Sequence, residues 1–214
     1  VLVANASIQS EPKLYASRRF LSDARAKEHL VVWEKAGTRW GGNTAHKKIQ
    51  SVFDDSVLWE KIVAPDGAAG DQLGFSLAIS NSFVAASSHC DDDNGVDSGS
   101  VYLYRTDGVY IQKLVVPDGA AYDFFGNSLA MSADVIAVGS VGDDDNGDFS
   151  GSVYLYRTDG VFIEKLVAPD GEAEDKFGHS LAMSADVIAV GSVGDDDNGD
   201  FSGSVYLYRT DGVF

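Results

Sequence analysis

Three loops of this chain carry oxygen ligands densely enough to suggest a metal site. Asp91, Asp92, Asp93, Asn94 and Asp97 form the first loop, and Asp143, Asp144, Asp145, Asn146 and Asp148 the second. Asp195, Asp196, Asp197, Asn198 and Asp200 form the third. Calcium takes six to eight oxygens at roughly 2.4 Å. Four carboxylates, an amide oxygen and carbonyls freed by the following glycine are suitable ligand types. A divalent ion would also relieve their mutual repulsion. The spacing departs from the EF-hand loop, in which glycine stands sixth and a glutamate closes the site. Asp144, Asn146 and Asp148 are instead followed by Phe149. Asp-Asn-Gly is equally good turn chemistry. A calcium site and a solvated acidic turn are therefore both open readings.

Catalytic chemistry finds no comparable cluster. His29, His46, His89 and His179 are scattered, and no Ser-His-Asp order, phosphate loop or His-x-x-x-His spacing occurs. The expectation is a protein that is not an enzyme. The lone Cys90 excludes an intramolecular disulfide framework and a cysteine-based zinc site. A net charge of −17 argues against nucleic acid as a partner, and no apolar run is long enough to span a bilayer. The 44% apolar content suits a folded chain, and 23 glycines against 4 prolines suit many tight turns.

The elements that must position the loops come from a repeat. Val101–Gly108 returns at Val153–Gly160 and Val205–Gly212, 52 residues apart each time. Aligning 112–162 with 164–214 gives 45 identities in 51 positions, so these units must fold alike. Asp55–Lys61 aligns with Asp107–Lys113, the tail of a still earlier unit. Each unit predicts four short strands: a at Ser180–Ser184, b at Val187–Val190, c at Val205–Tyr208 and d at Val161–Val167. Four antiparallel strands per unit indicate an all-β protein of β-propeller blades. The repeat domain runs over 49–214, in units of about 60–111, 112–163 and 164–214. Residues 1–48 carry a net +5 against −22 for the rest and form a basic extension. A helix is expected there over 13–36, with Gly37 as its stop. Val1–Ala6 fits the tail of a signal peptide.

Phe177-Gly178-His-Ser-Leu-Ala182, Ala189-Val-Gly-Ser192 and Gly203–Tyr208 resemble the FG-GAP repeat of integrin α-chain heads and other extracellular proteins. Phe125-Gly126, Ala137–Ser140 and Gly151–Tyr156 repeat the resemblance. The first unit departs from it, with Leu73-Gly74-Phe75 in place of Phe-Gly. Integrin blades hold calcium between strands a and b, but here that link is only Ser184-Ala185-Asp186. The integrin metal residues therefore do not transfer. The resemblance implies an extracellular or cell-surface propeller that recognises a protein or glycan, with calcium as the candidate cofactor. Its alternatives are an accessory propeller of a secreted hydrolase and a purely structural spacer.

Strand parity places the acidic b–c loops and the d–a links on one face. The second and third units differ at Ala120 against Glu172, Tyr122 against Glu174, Phe124 against Lys176 and Asn127 against His179. These positions are the candidate ligand face, since a rigid scaffold with variable loops is how a binding face behaves; unconstrained drift is the other reading. Tyr102, Tyr104 and their counterparts are expected to fill inter-blade contacts. Three blades make an incomplete ring, because propellers close with 4–8. The leftover d-type strand at 57–64 could pair with the last strand c in the same chain or another, two copies making six blades. A fragment of a longer repeat protein is the simpler account.

Overall fold

The computed structural model describes residues 14–17, 31–34 and 61–209, and the chain divides into two compact units, Val1–Leu58 and Trp59–Phe214. In the first unit, β1 (Leu14–Ser17) pairs antiparallel with β2 (Val31–Glu34), placing Tyr15 opposite Trp33. The helix expected over 13–36 is therefore corrected at both segments. Val31-Val32-Trp33 is β-branched and aromatic, and cross-strand pairing outweighs an apolar spacing that only loosely fits a helix. The signal-peptide reading at 1–6 lies outside the described residues.

The second unit is all strand and turn. β3 (Leu77–Ile79), β4 (Phe83–Ser88), β5 (Ser100–Arg105) and β6 (Tyr110–Leu114) form one antiparallel sheet in sequence order. β7 (Phe125–Met131), β8 (Val135–Ser140), β9 (Ser152–Arg157) and β10 (Phe162–Leu166) form the second. β11 (Phe177–Met183), β12 (Val187–Ser192) and β13 (Ser204–Arg209) form the third. These are the expected strands a to d, so each blade begins at strand a. The expected strand over 57–64 is corrected where it is described, because residues 61–64 carry no strand. The remainder of that segment lies outside the described residues.

Period-two alternation makes each middle strand a two-faced wall. In β9, Tyr154 and Tyr156 share a core with Val101, Leu103 and Phe125, whereas Val153 and Leu155 share the next core with Phe177, Ile188 and Tyr208. Both faces are buried because a blade lies on each side. Phe125 meets the edges of Tyr154 and Tyr156 at centroid distances of 5.6 and 6.0 Å, and Phe177 repeats this against Tyr206 and Tyr208. Such edge contacts add to what area burial contributes. Leu73 takes this place in the first blade, packed against Ala86, Tyr102 and Tyr104. The tyrosines thus fill the inter-blade contacts expected of them. The Tyr104, Tyr156 and Tyr208 hydroxyls donate to the carbonyls of Val63, Val115 and Val167, tying each strand c to the preceding link.

Among the described residues no helix is long and apolar enough to cross a membrane. β13 has no fourth strand beside it among them, and the array of sheets is open.

Candidate functional site

The first two acidic b–c loops each lie against the d–a link that follows their blade, on one face of the array. Tyr122 and Phe124 donate backbone N–H groups to the carbonyls of Val96 and Asp97, at 2.7 and 3.1 Å. One unit on, Glu174 and Lys176 do the same to Asp148 and Phe149, at 2.8 and 3.0 Å. The Asn94 and Asn146 side-chain amides donate to the carbonyls of Val116 and Ala168. Phe125 and Gly99 also join in an isolated parallel bridge between neighbouring blades. Asn94 and Asn146, two of the three asparagines read as metal ligands, therefore act as loop-to-link ties, whereas Asn198 donates its backbone N–H to the Ser202 hydroxyl.

The innermost carboxylates surround a lysine. Lys113, on β6, places Nζ 3.2 Å from Asp66, 2.9 Å from Asp91 and 2.5 Å from Asp93. Lys165, on β10, repeats this at 3.0 Å from Asp118, 2.8 Å from Asp143 and 2.7 Å from Asp145. The Tyr154 hydroxyl lies 2.9 Å from Asp118 and 2.6 Å from Asp143, sharing its one proton between two carboxylates, and Tyr102 does likewise with Asp66 and Asp91. The Asp91 and Asp143 side chains are buried. Each ammonium also stands 5.1 Å from its tyrosine ring centre.

Electrostatics follow from this geometry. Burial alone would lower the Lys113 and Lys165 ammonium groups, but the carboxylates around them outweigh it and hold both above the usual lysine range. The Tyr102 hydroxyl and then Lys113 hold Asp66 below the usual carboxylate range. At Asp118, Lys165 and Tyr154 overcome the upward push of burial. In these two units an ammonium occupies the place the sequence reading reserves for calcium.

The third cluster has the same frame without the lysine. The Tyr206 hydroxyl lies 2.9 Å from Asp170 and 2.7 Å from Asp195, and Asp197 donates its N–H back to Asp195. Among the described residues no cation pairs with Asp170, Asp195 or Asp197. Asp195 and Asp170 accordingly push the Asp197 carboxyl upward, while the Tyr206 hydrogen bond holds Asp195 down.

The outer carboxylates have other surroundings. Asp92 and Asp144 accept the N–H groups of Asp97 and Phe149, which is turn closure. Asp196 and Asp200 line a shallow cleft of about 200 Å³ with Glu172, Glu174, Asp175 and Phe201. Among the described residues no three carboxylate, imidazole or thiol groups stand together as a ready metal site.

The variable positions sit on one backbone frame. Tyr122 and Glu174 have φ of 71° and 68°, and Phe124 and Lys176 of 52° and 56°. Left-handed backbone is costly for such side chains, so the surrounding hydrogen bonds must impose it. Tyr122 and Glu174 are exposed, and Ala120 and Glu172 lie beside them on the surface. Asn127 and His179 are apart from this group, at the start of strand a, where the Asn127 amide donates to the His179 carbonyl of the next blade. Asp123, which sequence reasoning passed over, is buried beneath the link and accepts the Ala120 N–H. Burial, reinforced by Asp143 and Asp144, pushes its carboxyl up to about 6.

Sequence reasoning also missed Asp66, Asp118 and Asp170, which read as Pro-Asp-Gly turns, and the lysines that meet them. Their signal was the 52-residue recurrence of Lys61, Lys113 and Lys165 in phase with those aspartates. Cys90 stands where the other units have Gly142 and Gly194 and accepts from Gln72 at 3.4 Å. Its thiol is pushed up to about 11 by burial and then by Asp97, the opposite of a reactive thiolate.

The FG-GAP repeat family matches the chain over residues 58–104, 109–156 and 161–208, one match for each unit. No curated protein matches it.

Proposed function

The chain belongs to the FG-GAP repeat family, and on that footing we propose that its loop-rich face is a non-catalytic recognition surface for a protein or glycan. The setting proposed is extracellular or at the cell surface. The observation that carries the reading is the d–a link. Two units hold the same strained backbone with the same hydrogen bonds, yet one presents Tyr122 and Phe124 and the other Glu174 and Lys176. A frame that constrains the main chain and releases the side chains suits ligand discrimination. The aromatic pair offers rigid contact area at little entropic cost. In its finer form the proposal adds calcium, taken up by Asp196 and Asp200 with Glu172 and Glu174 after their side chains rearrange about the cleft.

The test is binding of the full chain to glycan and protein arrays, in calcium and in EDTA. A ligand whose affinity falls about tenfold or more in Tyr122→Ala with Phe124→Ala is the expected result. Absence of any ligand, or a ligand indifferent to both link substitutions, refutes it. Equal binding in calcium and EDTA removes only the calcium clause.

A further inference from the structure

Two links of the same backbone carry different pairs of side chains, and the difference bears on the ligand. In the link between the second and third blades, Lys176 sets its Nζ 3.4 Å from the Glu174 carboxylate. That link supplies its own cation. In the link between the first and second blades the same places hold Tyr122 and Phe124, at φ of 71° and 52° against 68° and 56°. Here two rings replace the ion pair.

Those rings extend into a strip. The ring centres of Tyr122 and Phe124 are 6.4 Å apart, those of Phe124 and His89 6.2 Å, and His89 stacks on Phe75 at 3.6 Å. Tyr122 is exposed and Phe124 half-buried, so ring surface is open to solvent beside the loops. Burial holds the His89 imidazole below its usual range against the upward effect of Asp97, so the strip carries no charge of its own at neutral pH.

The charges beside the strip are carboxylates. The Asp97 carbonyl accepts the Phe124 N–H, and its carboxylate acts on both His89 and Cys90. From the second blade, Asp144 acts on Asp123, the residue between Tyr122 and Phe124. Among the described residues no cation pairs with Asp97 or Asp144. Lys113 and Lys165 are committed to the inner carboxylates, and Arg105 and Arg157 pair with Asp107 and Asp159 in the c–d turns. The interior shows what this chain holds with such ingredients. Lys113 and Lys165 each stand 5.1 Å from a tyrosine ring centre, among carboxylates. The strip offers open rings and unpaired carboxylates to a cation from outside.

We propose that Tyr122, Phe124 and His89, flanked by Asp97 and Asp144, take a lysine or arginine side chain of a protein partner. The aliphatic stem lies on the rings and the charged head reaches the carboxylates, the division that long basic side chains make at surfaces. A neutral glycan would use the rings and leave the carboxylates without a role. The inference rests on the recognition reading above and narrows it to a basic protein segment.

The experiment is fluorescence-anisotropy binding of the full chain to short labelled peptides rich in lysine and arginine, beside the same peptides carrying acetyl-lysine and citrulline. The basic peptides should bind, and the neutralised ones about tenfold or more weakly. Any acidic protein attracts basic peptides to some degree, so the deciding variant keeps the net charge constant. Tyr122→Glu with Phe124→Lys gives the first link the side chains of the second, on a frame that already carries them at Glu174 and Lys176. An unchanged Tm verifies that it folds. The exchange should cost about tenfold or more in affinity, whereas Asp134→Asn, exposed in the a–b turn, should change it less than about twofold. A loss under about twofold in the exchange, a comparable loss in Asp134→Asn, or equal affinity for the neutralised peptides would overturn the inference. A neutral glycan whose binding is lost in Tyr122→Ala with Phe124→Ala would overturn it as well, while the recognition reading stood. Absence of any ligand would remove both.

Discussion

Replacing Lys165 with methionine tests whether the lysines hold the acidic loops together. The substitution keeps most of the stem and removes the charge, leaving Asp118, Asp143 and Asp145 without the ammonium that stands 2.7–3.0 Å from each. Asp143 is the costly one, because its side chain is 6% exposed. Removing one partner of a buried pair costs about 3–5 kcal/mol. Asp118 and Asp145 are 57% and 53% exposed, so water screens them and each adds little. Asp143 also keeps the Tyr154 and Ser152 hydroxyls as donors, which places the loss near the low end, about 3 kcal/mol. For a chain of this size that is roughly 6–12 °C in Tm. The pH dependence has a definite sign. Lys165 is raised in the folded state, so its contribution is present below the unfolded value of about 10.4 and is lost as pH rises through the folded value. Asp118 is lowered, so its contribution is present above about 3.9 and is lost on acidification. The gap between wild type and variant should therefore be widest between about pH 4 and 10 and close on either side. Differential scanning calorimetry across that range is the assay. A loss under about 2 °C at neutral pH, or a gap that widens in acid, would refute the reasoning.

Gly151 has φ of 81°, and a Cβ there would overlap the Phe177 carbonyl of the next blade. Gly151→Ala should cost about 2 kcal/mol or more by urea unfolding, whereas Gly142→Ala, where the obstacle is the Tyr122 carbonyl at ordinary φ, should test overlap without the backbone term. Asp123 is pushed up to about 6, so the folded state binds its proton more tightly than the unfolded chain does. Stability should therefore rise as pH falls from about 6 towards 4, and Asp123→Asn should flatten that part of the Tm profile while keeping an acceptor for the Ala120 N–H.

The fold was legible because its signals are local and repeated. Val153-Tyr-Leu-Tyr156 alternates through a strand, Asp-Gly ends it, and a 52-residue period makes every assignment testable three times over. The helix over 13–36 failed for want of such repetition, since a loose apolar spacing in one segment cannot outweigh pairing between Val31–Glu34 and Leu14–Ser17. The lysine pockets were hidden for a different reason. In Phe162-Ile-Glu-Lys-Leu166 the lysine reads as an exposed polar position of a strand, and Asp118 in Pro-Asp-Gly reads as turn chemistry. Their meeting spans 47 residues and depends on which strand lies beside which loop, information that composition and spacing do not contain.

The acidic face consequently divides into two layers with different physical roles. Asp91 and Asp143 are buried, held by tyrosine and lysine, and fasten the first two b–c loops to their blades. Asp196, Asp200, Glu172 and Glu174 stand outside that layer around an open cleft. Lys113 and Lys165 each offset one of the three carboxylate charges around them, so the inner layer is itself still acidic beneath the outer one. Substitutions in the inner layer should move stability, and substitutions in the outer layer and at Tyr122 and Phe124 should move binding. A ligand that responded to Lys165→Met at constant stability would break that division, since the ammonium would then be acting on the ligand rather than on the loop.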